Sequence, residues 1–429
     1  MTKLTAQNRI DEDFIIEVQI MPGSIYDELQ ERGFIAQVTH EAEVRDYLSQ
    51  PGATFYIGFD PTADSLHVGH FVQMMAMAHL QRAGHRPIAL IGGGTGMIGD
   101  PSDRTEMRKI MSLETIRHNV TKFESQMGML LDFTDGRALM VDNAEWLAPL
   151  NYIEFIREIG SQFSVNRMLA AEAYKQRLER GLTFLEFNYM LLQAYDFLEL
   201  YRRYDCQLQI GGDDQWSNII AGADLIRRKE RGQAWGMTLT LLTNSAGEKM
   251  GKTVGGAVWL DPKKFKPYDF YQYWRNIDDA DVIRCLKLLT FLPLAEIREY
   301  EHLEGEKLNP VKELLAFELT KTIHGESIAQ EVNLTAKAIF SGAGAADRMP
   351  EFTMPSAARQ APLLELLTET GIIPSRSEGR RLIAQGGLYI NNQPVESVDY
   401  IISDSDLVDN AVIVRRGKKK YYRLFFTEG

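Results

Sequence analysis

The sequence predicts an α/β protein: an open, mostly parallel sheet of the doubly wound, Rossmann-like type, followed by a helical domain and a small α+β module. Three observations carry this prediction. First, TFYIGFD (54–60), LHVGHFVQMMAMAHLQRAGHRP (66–87) and PIALIGGG (87–94) read as strand, helix and strand. Such a succession within about 40 residues is a parallel crossover unit. Second, more apolar strand candidates follow at ALMVDN (138–143), CQLQIGG (206–212) and MTLTLLTN (237–244). Third, from Pro267 to Ile339 the apolar residues recur at three-and-four spacing, as in Val311, Leu314, Leu315, Phe317 and Leu319, which is the helical period.

Residues 1–50 read as helical and connecting, with no site-like cluster. In the helix 66–87, Gly84 stands where a C-terminal cap falls and Pro87 blocks continuation. SGAGAADRMPEFTMPSA (341–357) is small, proline-containing and aperiodic, the composition of a linker. Beyond it, Ser375 and Glu378 form a capping-box pattern opening a helix that Gly386–Gly387 closes. LYINNQPV (388–395) and AVIVRRGKKKYYRLFF (411–426) then read as short strands. The expected organisation is a parallel-sheet domain over 1–260, a helical domain over 261–345, a linker over 346–357 and a C-terminal module over 358–429.

Composition bounds the class. An apolar fraction of 45% and a charged fraction of 25% in 429 residues are ordinary for a globular chain. No run reaches the ~20 apolar residues of a membrane helix, and the polar N-terminus has no signal core. The expectation is therefore cytoplasmic, with no membrane. Two cysteines, Cys206 and Cys285, exclude a disulfide framework and a cysteine zinc site. The net charge of −12 is uneven: Ser356–Gly429 holds 10 Lys/Arg and 9 Asp/Glu, a net of +1, which leaves −13 for the rest. An acidic body with a basic end is compatible with local RNA contact.

The candidate site lies at strand ends. His67 and His70 stand three apart where a strand turns into a helix, behind Gly58, Asp60, Pro61 and Thr62. A helix N-terminus favours anions, and Gly69 between the histidines lets a ring or ribose lie close. GGGTGMIGDPSDR (92–104) resembles a phosphate cradle without the lysine of a P-loop, while Asp100 suits an ammonium group. Tyr189, Gln193 and Asp196 fall at i, i+4 and i+7 among apolar residues, and so present three polar tips on one helix face. GGDDQWSN (211–218) puts Gly212, Asp213, Asp214 and Gln215 after an apolar strand, where nucleotide sheets hold ribose. GEKMGKT (247–253) supplies Lys249, Lys252 and Thr253. Together these suit nucleotide activation.

HVGH and KMGKT resemble the two signature motifs of class I aminoacyl-tRNA synthetases. With YIGFDPTADSLHVGH, GGGTGMIGDPS, YMLLQAYDF and GGDDQW, nearly the whole chain resembles bacterial-type tyrosyl-tRNA synthetase. The last 70 or so residues are similar to the small RNA-binding fold named after a small-subunit ribosomal protein (S-four-like). The resemblance implies a ligase that joins L-tyrosine to ATP as tyrosyl-adenylate, with Mg2+ accompanying ATP, and then charges tRNA(Tyr). It implies that, of the catalytic candidates, Thr62, His67, Lys249, Lys252 and Thr253 hold the departing pyrophosphate and His70 sits by the adenosine. Tyr56, Asp100, Tyr189, Gln193, Asp196 and Gln215 would hold tyrosine. Gly58, Asp60, Gly69, Gly212, Asp214 and Lys252 would hold ATP. Arg376, Arg380, Arg381, Lys418, Lys419 and Lys420 are the RNA-contact candidates, near Arg415, Arg416, Arg423, Tyr421 and Tyr422. The resemblance also implies a homodimer. Two departures from the family pattern are Asp213, where a small residue is more frequent, and Ser217, where glycine is. A tryptophanyl enzyme and a non-catalytic RNA-binding scaffold are the rival readings. Asp196 and Tyr56 oppose the first, and the retained site residues oppose the second.

Overall fold

The computed structural model describes residues 24–102, 111–253, 256–341, 350–391, 393–408, 410–417 and 420–427. The chain divides into two compact units, Met1–Ala329 and Gln330–Gly429.

The first unit is built on a six-stranded sheet. Its strands are β1 (Ile35–Val38), β2 (Thr54–Phe59), β3 (Arg86–Ile91), β4 (Leu139–Asp142), β5 (Leu208–Gly212) and β6 (Trp235–Leu239), in the order β1-β6-β5-β2-β3-β4. All neighbours are parallel except β1, which runs antiparallel to β6. The central strands are buried nearly throughout, as a parallel sheet covered on both faces requires. The order reverses between β2 and β5. The chain winds outward through β3 and β4 on one side and through β6 on the other. That switch point opens a crevice at the carboxyl ends of the strands.

Helix Val68–Arg82 follows β2 and ends where expected: Gly84 adopts φ +90° and donates its N–H to the Gln81 carbonyl at 2.9 Å. Helix Tyr189–Tyr204 packs its buried Met190, Leu191, Ala194, Phe197 and Leu198 into a core shared with Tyr56, Ile88, Leu90, Leu225 and Ile226. Helices then cover Pro267–Arg275, Asp279–Leu289, Leu294–Tyr300, Asn309–His324 and Glu326–Ser341, in line with the helical period of that region. Two short strands, β7 (Lys252–Thr253) and β8 (Gly256–Ala257), pair beside the sheet.

The second unit has a five-stranded sheet of β9 (Glu351–Pro355), β10 (Leu388–Ile390), β11 (Gln393–Pro394), β12 (Ala411–Arg416) and β13 (Lys420–Thr427), in the order β11-β10-β12-β13-β9. Helices Leu363–Glu369 and Arg376–Ala384 close its core on Val412, Val414 and Leu424.

Three readings are corrected. Residues 1–23 lie outside the described residues, and 24–50, read as mainly helical and connecting, also contain β1, which extends the main sheet; a strand of four residues is too short to display a period. The strand expected over 237–244 starts at Trp235 and ends at Leu239. Beyond it, the Leu241 and Thr243 carbonyls accept from the Arg284 guanidinium rather than from a neighbouring strand. The linker expected over 346–357 contains β9, paired in parallel with β13 from Glu351 to Pro355. Its proline-bounded run hides the strand because β9 is an edge, where proline is tolerated. Residues 346–349 of that stretch lie outside the described residues.

Candidate active site

A cavity of about 360 Å³ occupies the switch point. Residues that follow β2 (Asp60, Thr62, His67, Gly69, His70), β3 (Gly92, Thr95, Asp100) and β5 (Asp214, Gln215) line it, with Tyr56 and Gly58 from β2 and Gly212 from β5. Tyr189, Gln193 and Asp196 come from one face of helix Tyr189–Tyr204, and Lys249 from the glycine-containing loop. Residues separated by nearly 200 positions thus share one wall. Lys252 and Thr253 form β7 next to that loop, but their side chains lie outside the described atoms.

One pole of the cavity is acidic and buried. Asp196 is 2% exposed. Its Oδ1 accepts from Trp146 Nε1 at 2.7 Å and its Oδ2 from Asn143 Nδ2 at 2.9 Å. Burial pushes its pKa up to about 8, against the pull of those two donors. The Tyr56 hydroxyl is also buried and has no hydrogen-bond partner among the described residues. A buried hydroxyl without a partner costs roughly 1–3 kcal/mol, and a ligand with a hydroxyl of its own relieves that cost. Asp100, 8% exposed, is pushed up to about 6 by burial. Its Oδ2 accepts from Gln215 Nε2 at 2.7 Å and its Oδ1 from the Ser102 N–H at 2.8 Å. Asp60 accepts from Thr95 Oγ1 at 2.8 Å and from the Tyr189 hydroxyl at 3.1 Å. A buried acidic pole of this kind suits an ammonium or a hydroxyl better than a phosphate.

The opposite pole is the start of helix Val68–Arg82. His67 is its N-cap: Nδ1 accepts from the Gly69 N–H at 3.0 Å, while His70 Nδ1 accepts from the His67 N–H at 3.2 Å. Each imidazole is pinned through Nδ1, so in the neutral ring the proton sits on Nε2. The two rings stack at 4.0 Å, and Trp259 closes on His67 at 5.9 Å. Gly69 is needed for the histidine itself, since a Cβ there would lie 2.7 Å from His67 Cε1. A Cβ at Gly58 would meet nothing, so that glycine leaves ligand space instead of relieving a clash.

The glycine run is not a phosphate cradle. The Gly93 N–H donates to Asp142 Oδ1 at 3.1 Å and the Gly94 N–H to Asn143 Oδ1 at 2.7 Å. Cβ atoms at Gly92 and Gly93 would strike Asp60 and Asp142 at 2.1 and 2.2 Å. The loop is glycine-rich because carboxylates press on it. Asp213 does not face the cavity either. Its Oδ1 accepts from Gln37 Nε2 and Thr238 Oγ1, both at 2.7 Å, tying it to β1 and β6.

Sequence reading missed Asn143, Trp146, Thr95 and Gln209. Asn143 and Trp146 hold Asp196, Thr95 bridges Asn143 and Asp60, and Gln209 lines the cavity from within β5. Two signals were there to be read: the Asp-Asn pair that ends ALMVDN, and a glutamine inside an apolar strand.

In the second unit, Arg376, Arg380 and Arg381 are exposed on helix Arg376–Ala384, where Arg376 pairs with Glu365 at 3.0 Å and Arg381 pairs with Glu378. Only half of the expected capping box forms, because Ser375 Oγ accepts from the Glu378 N–H. Three neighbouring arginines hold the module together. Arg423 pairs with Glu351 at 3.0 Å, Arg416 donates to the Ile372 carbonyl at 2.8 Å, and Arg415 stacks on Tyr389 at 3.6 Å. Lys418 and Lys419 lie outside the described residues, as does the Lys420 side chain.

A parallel sheet with an acidic pocket and a histidine-capped helix facing one cavity defines an amino-acid-activating nucleotide enzyme. Residues 49–341 match the family model of class I tRNA synthetases (W and Y), and residues 343–424 match the tyrosine–tRNA ligase SYY-like C-terminal domain. The tyrosine–tRNA ligase of Clostridium beijerinckii is 58% identical over 401 residues, 94% of this chain and 99% of the relative. That of Caldanaerobacter subterraneus subsp. tengcongensis is 58% identical over 405 residues, 94% of this chain and all of the relative. A C-terminally truncated mitochondrial tyrosyl-tRNA synthetase from Aspergillus nidulans superposes with a TM-score of 0.66 at 28% identity, over 74% of this chain and 94% of that one. The chain belongs to the class I tRNA synthetases and, within them, to the bacterial-type tyrosine–tRNA ligases.

Proposed function

We propose that the chain activates tyrosine with ATP, releasing pyrophosphate, and then transfers the tyrosyl group to the 3′ end of tRNA(Tyr). The observation that carries this reading is the two-poled cavity. The tyrosine hydroxyl would pair with Asp196 and Tyr56, and its α-ammonium with Asp100, Tyr189 and Gln193, with Gln215 steadying Asp100. The substrate carboxylate is then left facing the histidine pole. It is the nucleophile, so no protein nucleophile is needed. Its oxygen bonds to the α-phosphorus, the α–β phosphoanhydride bond breaks, and pyrophosphate leaves. Thr62, His67, Lys249, Lys252 and Thr253 would stabilise charge on the phosphates, while His70, Gly58, Asp60, Gly69, Gly212 and Asp214 would border adenosine. Catalysis is then positioning plus electrostatics, with Mg2+ arriving on ATP as part of the substrate. The test is amino-acid-dependent ATP–pyrophosphate exchange. Exchange with tyrosine, and not with phenylalanine or tryptophan, is expected; its absence with all three would overturn the reading.

Asp100 gives the reaction a pH signature. An ammonium pairs with the carboxylate form, and burial holds this carboxyl at about 6 in the free protein. Tyrosine affinity should therefore fall as pH drops through about 6, by up to about tenfold per unit. Equilibrium dialysis across this range checks the slope, and a flat affinity would remove Asp100 from the ammonium site.

The C-terminal unit would contact tRNA through Arg376, Arg380 and Arg381. A homodimer in the cytoplasm is the expected form. Among the described residues, eight of the fourteen exposed large apolar side chains fall between Tyr152 and Leu185, including Ile153 at 72% and Phe184 at 68% exposure. Such a concentration of exposed apolar side chains in one segment suits a second copy of the chain. Because β9 belongs to the C-terminal sheet, a clean truncation ends at Ser341. The truncated chain should keep tyrosine-dependent exchange, remain a dimer by light scattering and lose most tRNA charging. Full charging would remove the module from RNA binding, and a monomer would remove the apolar run from the dimer contact.

A further inference from the structure

We propose that Tyr273 and Arg284, on two helices outside the sheet, are positioning residues for the departing pyrophosphate. This rests on the reading that Lys249 meets that group. Lys249 stands in a hairpin whose tip, Ser245–Lys249, is exposed. The hairpin is closed by the Met250 N–H on the Leu242 carbonyl at 2.9 Å and the Asn244 N–H on the Glu248 carbonyl at 2.8 Å. Its base is gripped from both sides. On the entering strand, Arg284 of helix Asp279–Leu289 donates Nη1 to the Thr243 carbonyl and hydroxyl, both at 3.1 Å, and Nη2 to the Leu241 carbonyl at 3.0 Å. On the leaving strand, the Gly251 N–H donates to the Tyr273 hydroxyl of helix Pro267–Arg275 at 2.9 Å.

Gly251 is also where the two signature segments meet. Its φ is +85°, and a Cβ there would lie 3.0 Å from Val68 Cβ, at the start of the histidine-capped helix. Its carbonyl accepts from the Val258 N–H at 2.8 Å, and the Val258 carbonyl accepts from the Val68 N–H at 3.0 Å. Tyr273 therefore fixes the hairpin at its junction with His67's helix, and Arg284 fixes the other strand. Arg284 and Tyr273 tie the base of this exposed tip to the two helices, and the direction of the tip follows that of its base. The helical segment thereby joins the activation machinery, beyond any part it has in binding tRNA.

The test is Tyr273→Phe, which keeps the ring and removes one hydroxyl, measured by pyrophosphate exchange, tyrosine dissociation constant and melting. A loss of about 3–10-fold in exchange, the worth of one hydrogen bond, is expected, with a raised KM for pyrophosphate and an unchanged tyrosine affinity. Arg284→Met should act in the same direction and more strongly. In a Lys249→Ala background, Tyr273→Phe should have a clearly smaller further effect, because a share of its effect passes through that lysine. A full, additive loss in that background, or a tyrosine affinity that falls with the rate, would overturn the proposal. If Lys249→Ala alone leaves exchange unchanged, the assignment of Lys249 fails first, and this inference with it.

Discussion

Asp196→Ala is expected to lower tyrosine-dependent exchange by about 10²–10³-fold and to shrink the preference for tyrosine over phenylalanine by a similar factor. The discrimination comes from groups the wrong substrate would leave unpaired. Asp196 and Tyr56 lie at 2% and 1% exposure, and the Tyr56 hydroxyl has no partner among the described residues until a phenol supplies one. Tyrosyl-tRNA synthetases are the standard case of this effect, with a preference of about 10⁵ that belongs to that class of enzyme and not to this geometry. The fold should tolerate the change for an offsetting reason. Removing the carboxylate strands Trp146 Nε1, at roughly 1–3 kcal/mol, while Asn143 Nδ2 keeps Thr95 Oγ1 as an acceptor at 3.0 Å. It also removes a group whose folded pKa, about 8, lies far above its ordinary value of 3.8. A carboxyl shifted upward binds its proton more tightly in the folded state, so its contribution to stability declines as pH rises from the ordinary value to the raised one. At neutral pH, Asp196 therefore costs stability, and alanine recovers that cost. Exchange assays with both amino acids, beside melting curves, decide the matter. An undiminished tyrosine preference would move hydroxyl recognition elsewhere.

His67→Ser separates two roles of one residue. His67 caps helix Val68–Arg82 through Nδ1 and, in the proposed reaction, offers Nε2–H to the phosphates. Serine is a good N-cap, so the helix start should survive, and the His67 backbone N–H that anchors His70 remains. Only the donor and a ring stacked between His70 and Trp259 are lost. The exchange rate should fall by about 10²-fold or more, with tyrosine affinity unchanged, because the acidic pole lies on other elements. An unchanged rate would remove His67 from the phosphates. A rate loss matched by a collapse in melting temperature would make its role structural.

Much of the fold was legible because parallel strands buried on both faces leave continuous apolar runs. β2, β3, β4 and β5 fall within TFYIGFD, PIALIGGG, ALMVDN and CQLQIGG or one residue from them. Edge strands were not legible: β1 and β9 are stabilised by partners about 200 and about 70 residues away, and four or five residues show no pattern of their own. The cavity was legible where chemistry clusters locally, as in His67 with His70 or Asp214 with Gln215. It was illegible where a residue acts on another residue. Asn143 and Trp146 look like the end of a strand until helix Tyr189–Tyr204 lays Asp196 against them. The glycine run looked like an anion cradle until Asp60, Asp142 and Asn143 were found pressed upon it. Arg423 looked like an RNA contact until Glu351 was found beside it. Residue type and spacing by themselves pointed to nucleotide activation and to the strand ends that face it, because those signals are local. Only the tertiary structure decided which polar groups already have partners, because that depends on contacts between segments that the sequence keeps far apart.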